Sequence, residues 1–174
     1  QTIGAAVAAA ADGDTVIVGG GVYRENVTVN KAITLRAAPD ATPIIDGGWN
    51  GKTTGGGFGG QLSATAEGVV LEGLTVRNAP GRGIGIGASR VTVRNCTASD
   101  CCKGGLGANA GGGAFYEGLV IENNLIMRVG LERFQTAGQV NGSFLFARVR
   151  DSVIRGNTIV NGLGEGINID RDCQ

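Results

Sequence analysis

The sequence predicts an all-β fold: a right-handed parallel β-helix, a solenoid with three strands per coil and a short N-terminal capping helix. Three observations carry that prediction: an internal repeat, short period-two apolar runs in place of long helical stripes, and an abundance of glycine. Glycine supplies 33 of the 174 residues and proline only 3, a turn-rich β composition and not that of a disordered chain. The length fits one domain able to bury a continuous core without disulfides or metals. Within that domain, residues 1–14 form the cap and residues 15–174 the coils.

The repeat is legible in four segments: Leu71-Glu-Gly-Leu-Thr-Val-Arg-Asn78, Val93-Arg-Asn-Cys-Thr-Ala-Ser-Asp100, Ile121-Glu-Asn-Asn-Leu-Ile-Met-Arg128 and Ile154-Arg-Gly-Asn-Thr-Ile-Val-Asn161. Their starts lie 22, 28 and 33 residues apart. That spacing reads as one minimal coil and two coils carrying inserted loops, with the insertions on one face.

Taken in chain order, Ile3 to Ala11 is an alanine-rich amphipathic helix ended by Asp12-Gly13, placed to cover the open end of the core. Strands follow at Thr15–Val18, Asn26–Val29, Ile33–Arg36 and Pro43–Asp46. In each of the four repeat segments a strand such as Val91-Thr-Val93 alternates inward and outward. A bend containing Asn or Gly comes next, and an apolar residue (Val76, Ala98, Ile126 or Ile159) resumes the core. A third strand per coil is expected at Gly83–Gly87, Gly105–Ala108, Phe144–Phe146 and Gly166–Asp170, each with period-two apolar spacing. Asn124 and Asn157 occupy one corner position, equivalent to Leu74 and Cys96. A side-chain ladder is expected there, since Asn tolerates left-handed backbone and bonds main-chain groups. No cap is visible after Asp170, so the far end is expected to be covered by a further segment or by a partner chain.

Composition narrows the function. Fifteen basic residues balance fifteen acidic ones, so no net field draws the molecule to nucleic acid or to an anionic membrane. The absence of histidine removes Ser-His-Asp and Cys-His nucleophile systems and the commonest zinc ligand. Cys96, Cys101, Cys102 and Cys173 lack paired C-x-x-C spacing, which argues against structural zinc. Cys101 or Cys102 pairs with Cys173 only if the fold brings them together. No stretch reaches the roughly 18 consecutive apolar residues of a membrane helix, and the start lacks the charged region of a signal peptide. Asn26-Val-Thr28, Asn95-Cys-Thr97 and Asn141-Gly-Ser143 match the N-glycosylation pattern, as expected by chance in an Asn-rich repeat.

The front of the chain carries a family resemblance. Thr2-Ile-Gly-Ala-Ala-Val-Ala-Ala-Ala-Ala-Asp-Gly-Asp-Thr-Val-Ile-Val18, Gly21-Val-Tyr-Arg-Glu-Asn-Val27 and Ile33-Thr-Leu-Arg36 resemble the start of many right-handed parallel β-helix proteins of the pectate-lyase-like superfamily. The resemblance covers nearly the whole chain and is specific for fold but not for reaction. It implies an extracellular, cell-surface or periplasmic setting and a sugar polymer as ligand. Members include polysaccharide lyases, pectin esterases, alginate epimerases, glycosidases, periplasmic copper-site accessory proteins, adhesins and phage tailspikes. The chain departs from the enzymes in lacking the Asp-Pro-His motif of alginate epimerases and any pectin esterase pattern. Gly166-Ile-Asn-Ile-Asp-Arg-Asp172 reads as an ordinary third strand, and no functional residue carries over by motif.

The resemblance also implies a cleft along one strand face, walled by the loops that lead into it, here 77–82, 99–103, 128–141 and 161–165. β-Elimination from a uronic-acid polymer needs a base at C5 and a cation that neutralises the substrate carboxylate. Lys103 is the candidate base and Arg133 or Arg82 the candidate neutraliser, with Asp100, Glu165 and Asp170 as expected ligands of a calcium cofactor. Asn168 and Glu132 are candidate substrate contacts. A hydrolase would instead need two carboxylates about 5 to 9 Å apart, for which Asp100 and Glu165 are candidates. The competing reading makes all of these solvated loop charges. The Asp46–Gly60 insertion holds Trp49 and Phe58, which either stack on sugar rings or pack as a flap over the core. Two functions follow: a β-helix that binds, and cleaves by β-elimination, an acidic polysaccharide, or a structural or adhesive module that assembles with other chains.

Overall fold

The computed structural model describes residues 1–51, 59–112, 114–131, 143–163, 165–170 and 172–173. Its first sheet stacks β1 (Thr15–Val18), β4 (Thr34–Ala37), β7 (Val70–Glu72), β10 (Thr92–Arg94), β14 (Val120–Glu122) and β18 (Val153–Arg155). A second stacks β2 (Gly21–Tyr23), β5 (Pro43–Asp46), β8 (Thr75–Arg77), β11 (Thr97–Cys101), β15 (Leu125–Val129) and β19 (Thr158–Val160). The third stacks β3 (Val27–Val29), β6 (Gly60–Ala64), β9 (Arg82–Ile86), β12 (Leu106–Asn109), β16 (Phe144–Ala147) and β20 (Ile167–Asp170). A two-stranded sheet of β13 (Tyr116–Glu117) and β17 (Val149–Arg150) leads from the third sheet back to the first. All pairings are parallel, and the chain visits the three sheets in turn, which makes a three-sided β-helix.

The sequence repeat is the spatial repeat. Leu35, Leu71, Val93, Ile121 and Ile154 stand one above another on the first sheet, all but Ile154 fully buried. Ile45, Val76, Ala98 and Ile126 form the matching row on the second sheet, and Leu62, Ile84, Leu106 and Phe144 do so on the third. Each such side chain contributes roughly 1.5–3 kcal/mol by leaving water, so the rows hold the coils together.

The corners explain the Gly and Asn content. Gly73, Asn95, Asn123 and Gly156 all have positive φ at the turn from the first sheet to the second. Asn78, Asp100, Arg128 and Asn161 do the same at the second turn, and Gly68, Arg90, Gly118 and Asp151 at the third. A left-handed residue turns the chain sharply, at a cost of about 1–2 kcal/mol for side chains other than Gly, Asn and Asp.

Asn124 and Asn157 do form the expected ladder, but not by adopting left-handed backbone, which belongs to the residues just before them. Asn124 is buried; its Oδ1 accepts from Cys96 N–H at 2.9 Å and its Nδ2 donates to the Val93 carbonyl at 2.9 Å. Asn157 repeats this one coil on, accepting from Asn124 N–H at 2.9 Å and donating to Ile121 at 2.8 Å.

Helix α1 (Ile3–Ala9) buries Ile3 and Val7 against the first coil. The Glu25 carboxylate accepts from the N–H groups of Ile3 and Gly4 at 2.8 and 2.9 Å. Lys31 Nζ donates to the carbonyls of Ala8 and Ala10 at 2.6 and 2.5 Å. One coil thus satisfies both ends of the helix with charge of the sign its dipole favours. The helix stops short of Ala11 because Ala10 is extended and Ala11 N–H is taken by Asp14. Four strands escaped sequence reading: the exposed tripeptide β2, β6, which emerges from the glycine-rich insertion without clear alternation, and the two-residue β13 and β17.

Candidate functional site

Charges on the first sheet are arranged in a self-neutralising column. Arg36, Glu72, Arg94, Glu122 and Arg155 lie in one register, and the closest contacts are Arg94–Glu72 at 3.1 Å and Arg155–Glu122 at 2.7 Å. The turn from the second sheet to the third is similar. Asp46 accepts from Arg77 at 2.8 Å, Asn78 at 3.1 Å and Gly48 N–H at 2.9 Å. Burial opposes its ionisation, but these donors outweigh it and hold the carboxyl below the ordinary range.

Asp100 was expected to bind calcium. Instead Arg128, one coil on, grips both of its oxygens at 2.6 and 2.7 Å, and that hydrogen bond is the main influence lowering its pKa. Asp100 and Arg128 are the left-handed corner residues of successive coils; the backbone turn aims both side chains outward into one pair. Asp100, Glu165 and Asp170 are not brought together, and among the described residues no three carboxylate or thiol groups are placed to hold a metal. Asp170 sits at the far end of β20, a strand's length from the turn that carries Asp100. With its carboxylate paired to Arg128, Asp100 favours the ionised form.

Arg82 behaves differently. It opens β9 and is 6% exposed, and its guanidinium has no hydrogen bond or ion pair among the described residues. Desolvation alone pushes its pKa down to about 10. The side chain runs along the outer face of the third sheet over Gly107, where a Cβ would come within 3.0 Å of Arg82 Cζ and 2.5 Å of the Leu145 carbonyl. Glycine at 107 is therefore the floor that lets the guanidinium lie flat.

Residues around this floor follow from register: Ser63, Gly85, Gly107, Leu145 and Asn168 form one outward column. Gly85 is outward, beneath Gly60, whereas Gly83 is not part of an open glycine face. A Cβ at Gly83 would meet Ala98 Cβ at 2.9 Å and Cys101 Sγ at 3.1 Å, so that glycine permits close packing inside the corner. Lys103 lies one coil above the start of β9, its N–H bonded to the Gly81 carbonyl at 3.0 Å, and is half-buried. The structure therefore gathers Arg82, Lys103 and Asn168 on one side of the solenoid. Glu165 is exposed in the turn before β20.

Trp49 is half-buried, its N–H bonded to the Asn78 carbonyl at 2.8 Å, which places the backbone of the insertion against the neighbouring coil. Phe58, Glu132 and Arg133 lie outside the described residues. Sequence reasoning missed the role of Gly107; the signal available was a lone glycine where period two calls for an outward side chain. The four cysteines form no disulfide, and burial pushes the Cys96 and Cys101 thiols up to about 12. No helix among the described residues is long and apolar enough to cross a membrane.

A solenoid of stacked three-strand coils defines a recognisable class, and the chain belongs to the family described as right handed beta helix region, which matches residues 53–174. Among solved structures it is similar to an alginate lyase from Paenibacillus sp. str. FPU-7, with TM-score 0.64 and 19% identity over 98% of this chain and 70% of that one. It is also similar to the pectate lyase Pel9A, with TM-score 0.60 and 19% identity over 86% of this chain and 42% of that one. At that identity the likeness is one of fold, and the chain spans less than half the length of Pel9A. No curated protein sequence matches it.

Proposed function

We propose that the outer face of the third sheet binds an acidic polysaccharide outside the cytoplasm, with Arg82 as the receptor for a uronate carboxylate. The observation that supports this most is a desolvated guanidinium lying on a glycine floor with no counter-ion among the described residues. Such a group is costly unless paired, and a bidentate carboxylate is its best partner. The Arg94–Glu72, Arg155–Glu122, Arg77–Asp46 and Arg128–Asp100 pairs offer a polyanion much less. Fold likeness to an alginate lyase and a pectate lyase fits the same substrate class.

On this reading cleavage is β-elimination. Arg82 neutralises the carboxylate, acidifying the proton on C5, and Lys103 in its neutral form takes that proton. The C5–H electrons form the C4–C5 double bond as the C4–O bond breaks, and the glycosidic oxygen departs with a proton from solvent or Lys103. The test is a panel of alginates and pectates, read by ultraviolet absorbance of unsaturated uronate and in parallel by affinity electrophoresis. New absorbance that is lost in Lys103→Ala supports the lyase. Retardation without absorbance leaves a binding module, and silence in both defeats the proposal in favour of a structural or adhesive role.

A further inference from the structure

The turn from the second sheet to the third carries a cleft that lies apart from Arg82. It has a volume of about 300 Å³ and opens between Arg24 and Asn26 of the first coil, Gly47 and Gln61 of the second and Pro80 of the third, with Glu25 and Asp46 in its wall. Both acids are already engaged. Glu25 accepts from the N–H groups of Ile3 and Gly4, and Asp46 accepts from Arg77, Asn78 and Gly48 N–H. The groups left over have the opposite character. Arg24 and Asn26 are exposed, and among the described residues neither side chain has a hydrogen-bond or ion-pair partner. Gln61 is 7% exposed, and its Nε2 donates to the Glu25 carbonyl at 2.9 Å, while its Oε1 accepts from no donor among the described residues. A Cβ at Gly47 would stand 2.7 Å from that oxygen, so a glycine at 47 is what leaves room for the amide. A cleft that offers a guanidinium, an amide and a buried acceptor, its own acids neutralised, suits an anion that also carries hydroxyl groups.

Register sets its distance from Arg82. Val27 pairs with Leu62 and Gly60 pairs with Arg82. Asn26 therefore stands beside Gln61, and two rungs, about 10 Å along the solenoid axis, separate this corner of the first coil from Arg82. Rings of an extended 1,4-linked uronan repeat at close to one rung of about 4.8 Å, and every second carboxylate faces the same side. We propose that the cleft is a second carboxylate subsite for the polymer whose uronate Arg82 receives, an inference that rests on that reading of Arg82. Arg24 takes the carboxylate two rings away, and Asn26 and Gln61 Oε1 meet hydroxyls of the same ring. The polymer then lies along the solenoid axis with one ring per coil, and a trimer is the shortest chain that reaches both arginines.

The test measures the affinity of the intact chain for oligomers of alginate and of pectate from one to six rings. Affinity is expected to rise by about tenfold or more between dimer and trimer, as for two linked subsites. Arg24→Gln should abolish that step, bringing the trimer to within about twofold of the dimer, and Asn26→Ala should reduce it in part, both at unchanged melting temperature because the two side chains are exposed. Arg82→Met should weaken every length from the dimer upward. A trimer bound no better than a dimer, or a step that survives Arg24→Gln, overturns the second subsite, and the Arg82 reading stands if Arg82→Met still weakens binding. An Arg24→Gln loss equal for dimer and trimer also overturns it, since the charge then acts at a distance and not at one ring. Failure of the wild-type chain to bind any oligomer or the polymer overturns both readings together.

Discussion

Arg82 carries most of the functional reading, and its chemistry makes that reading exposed to a stability measurement. A buried cation without a partner destabilises the fold, so replacing it by an apolar chain of similar reach is neutral or stabilising. Arg82→Met is expected to hold or raise the unfolding free energy from urea melts, by as much as about 1–3 kcal/mol, while weakening retention of alginate or pectate at least tenfold. Destabilisation by several kcal/mol would mean that the guanidinium is tied within the protein, and the binding proposal would lose its basis. Asp100 makes the opposite case. Its folded pKa is held below the ordinary 3.8 by Arg128, so the pair contributes stability above that value and loses it as pH falls through the lowered pKa. Asp100→Asn should flatten this part of the acid limb in a melting series below pH 3.8. Sequence reading could not show that Arg128 becomes the neighbour of Asp100, because the two meet only through the register of two coils, which no local pattern displays.

At the level of elements, the rungs beginning at Leu71, Val93, Ile121 and Ile154 were legible because strand alternation and corner chemistry recur together, and the register observed is the one the repeat dictates. β2 and β6 were not, because exposed or glycine-rich strands bury too little to leave a period-two signature. The corner ladder shows how such a rung is held. Asn124 occupies a position filled by Leu74 and Cys96 in earlier coils, so volume alone would tolerate Leu there. Asn124→Leu, however, leaves Cys96 N–H and the Val93 carbonyl without the partners they now have at 2.9 Å. A buried unpaired group costs roughly 1–3 kcal/mol, so Asn124→Leu should lower the unfolding free energy from urea melts by about that much and move the midpoint down, with little effect on retention of acidic polymer. An unchanged midpoint would show that the corner relaxes around the apolar side chain.

The whole molecule is quasi-one-dimensional, since each coil touches only its neighbours, and stability is then a sum of coil and interface terms. Its two ends are unequal. At one, α1 covers the first coil and is fixed by Glu25 and Lys31. At the other, the last coil presents Ile167 and Ile169 largely to water. Sequence reading anticipated the cap, because a helix pattern has a long signature. Local opening should therefore be graded along the axis and not symmetric about its middle. Native-state amide exchange is expected to be slowest in β7–β12, where both neighbouring coils are present and the inward row is fully buried, and fastest in β18–β20. Amides of β1 and β3 should fall between, and Glu25→Gln should move them toward the fast class by weakening the hold on α1 while leaving β18–β20 unchanged. Uniform exchange along the chain would indicate a single cooperative unit, and the open edge would then have no energetic consequence for the coil that carries it.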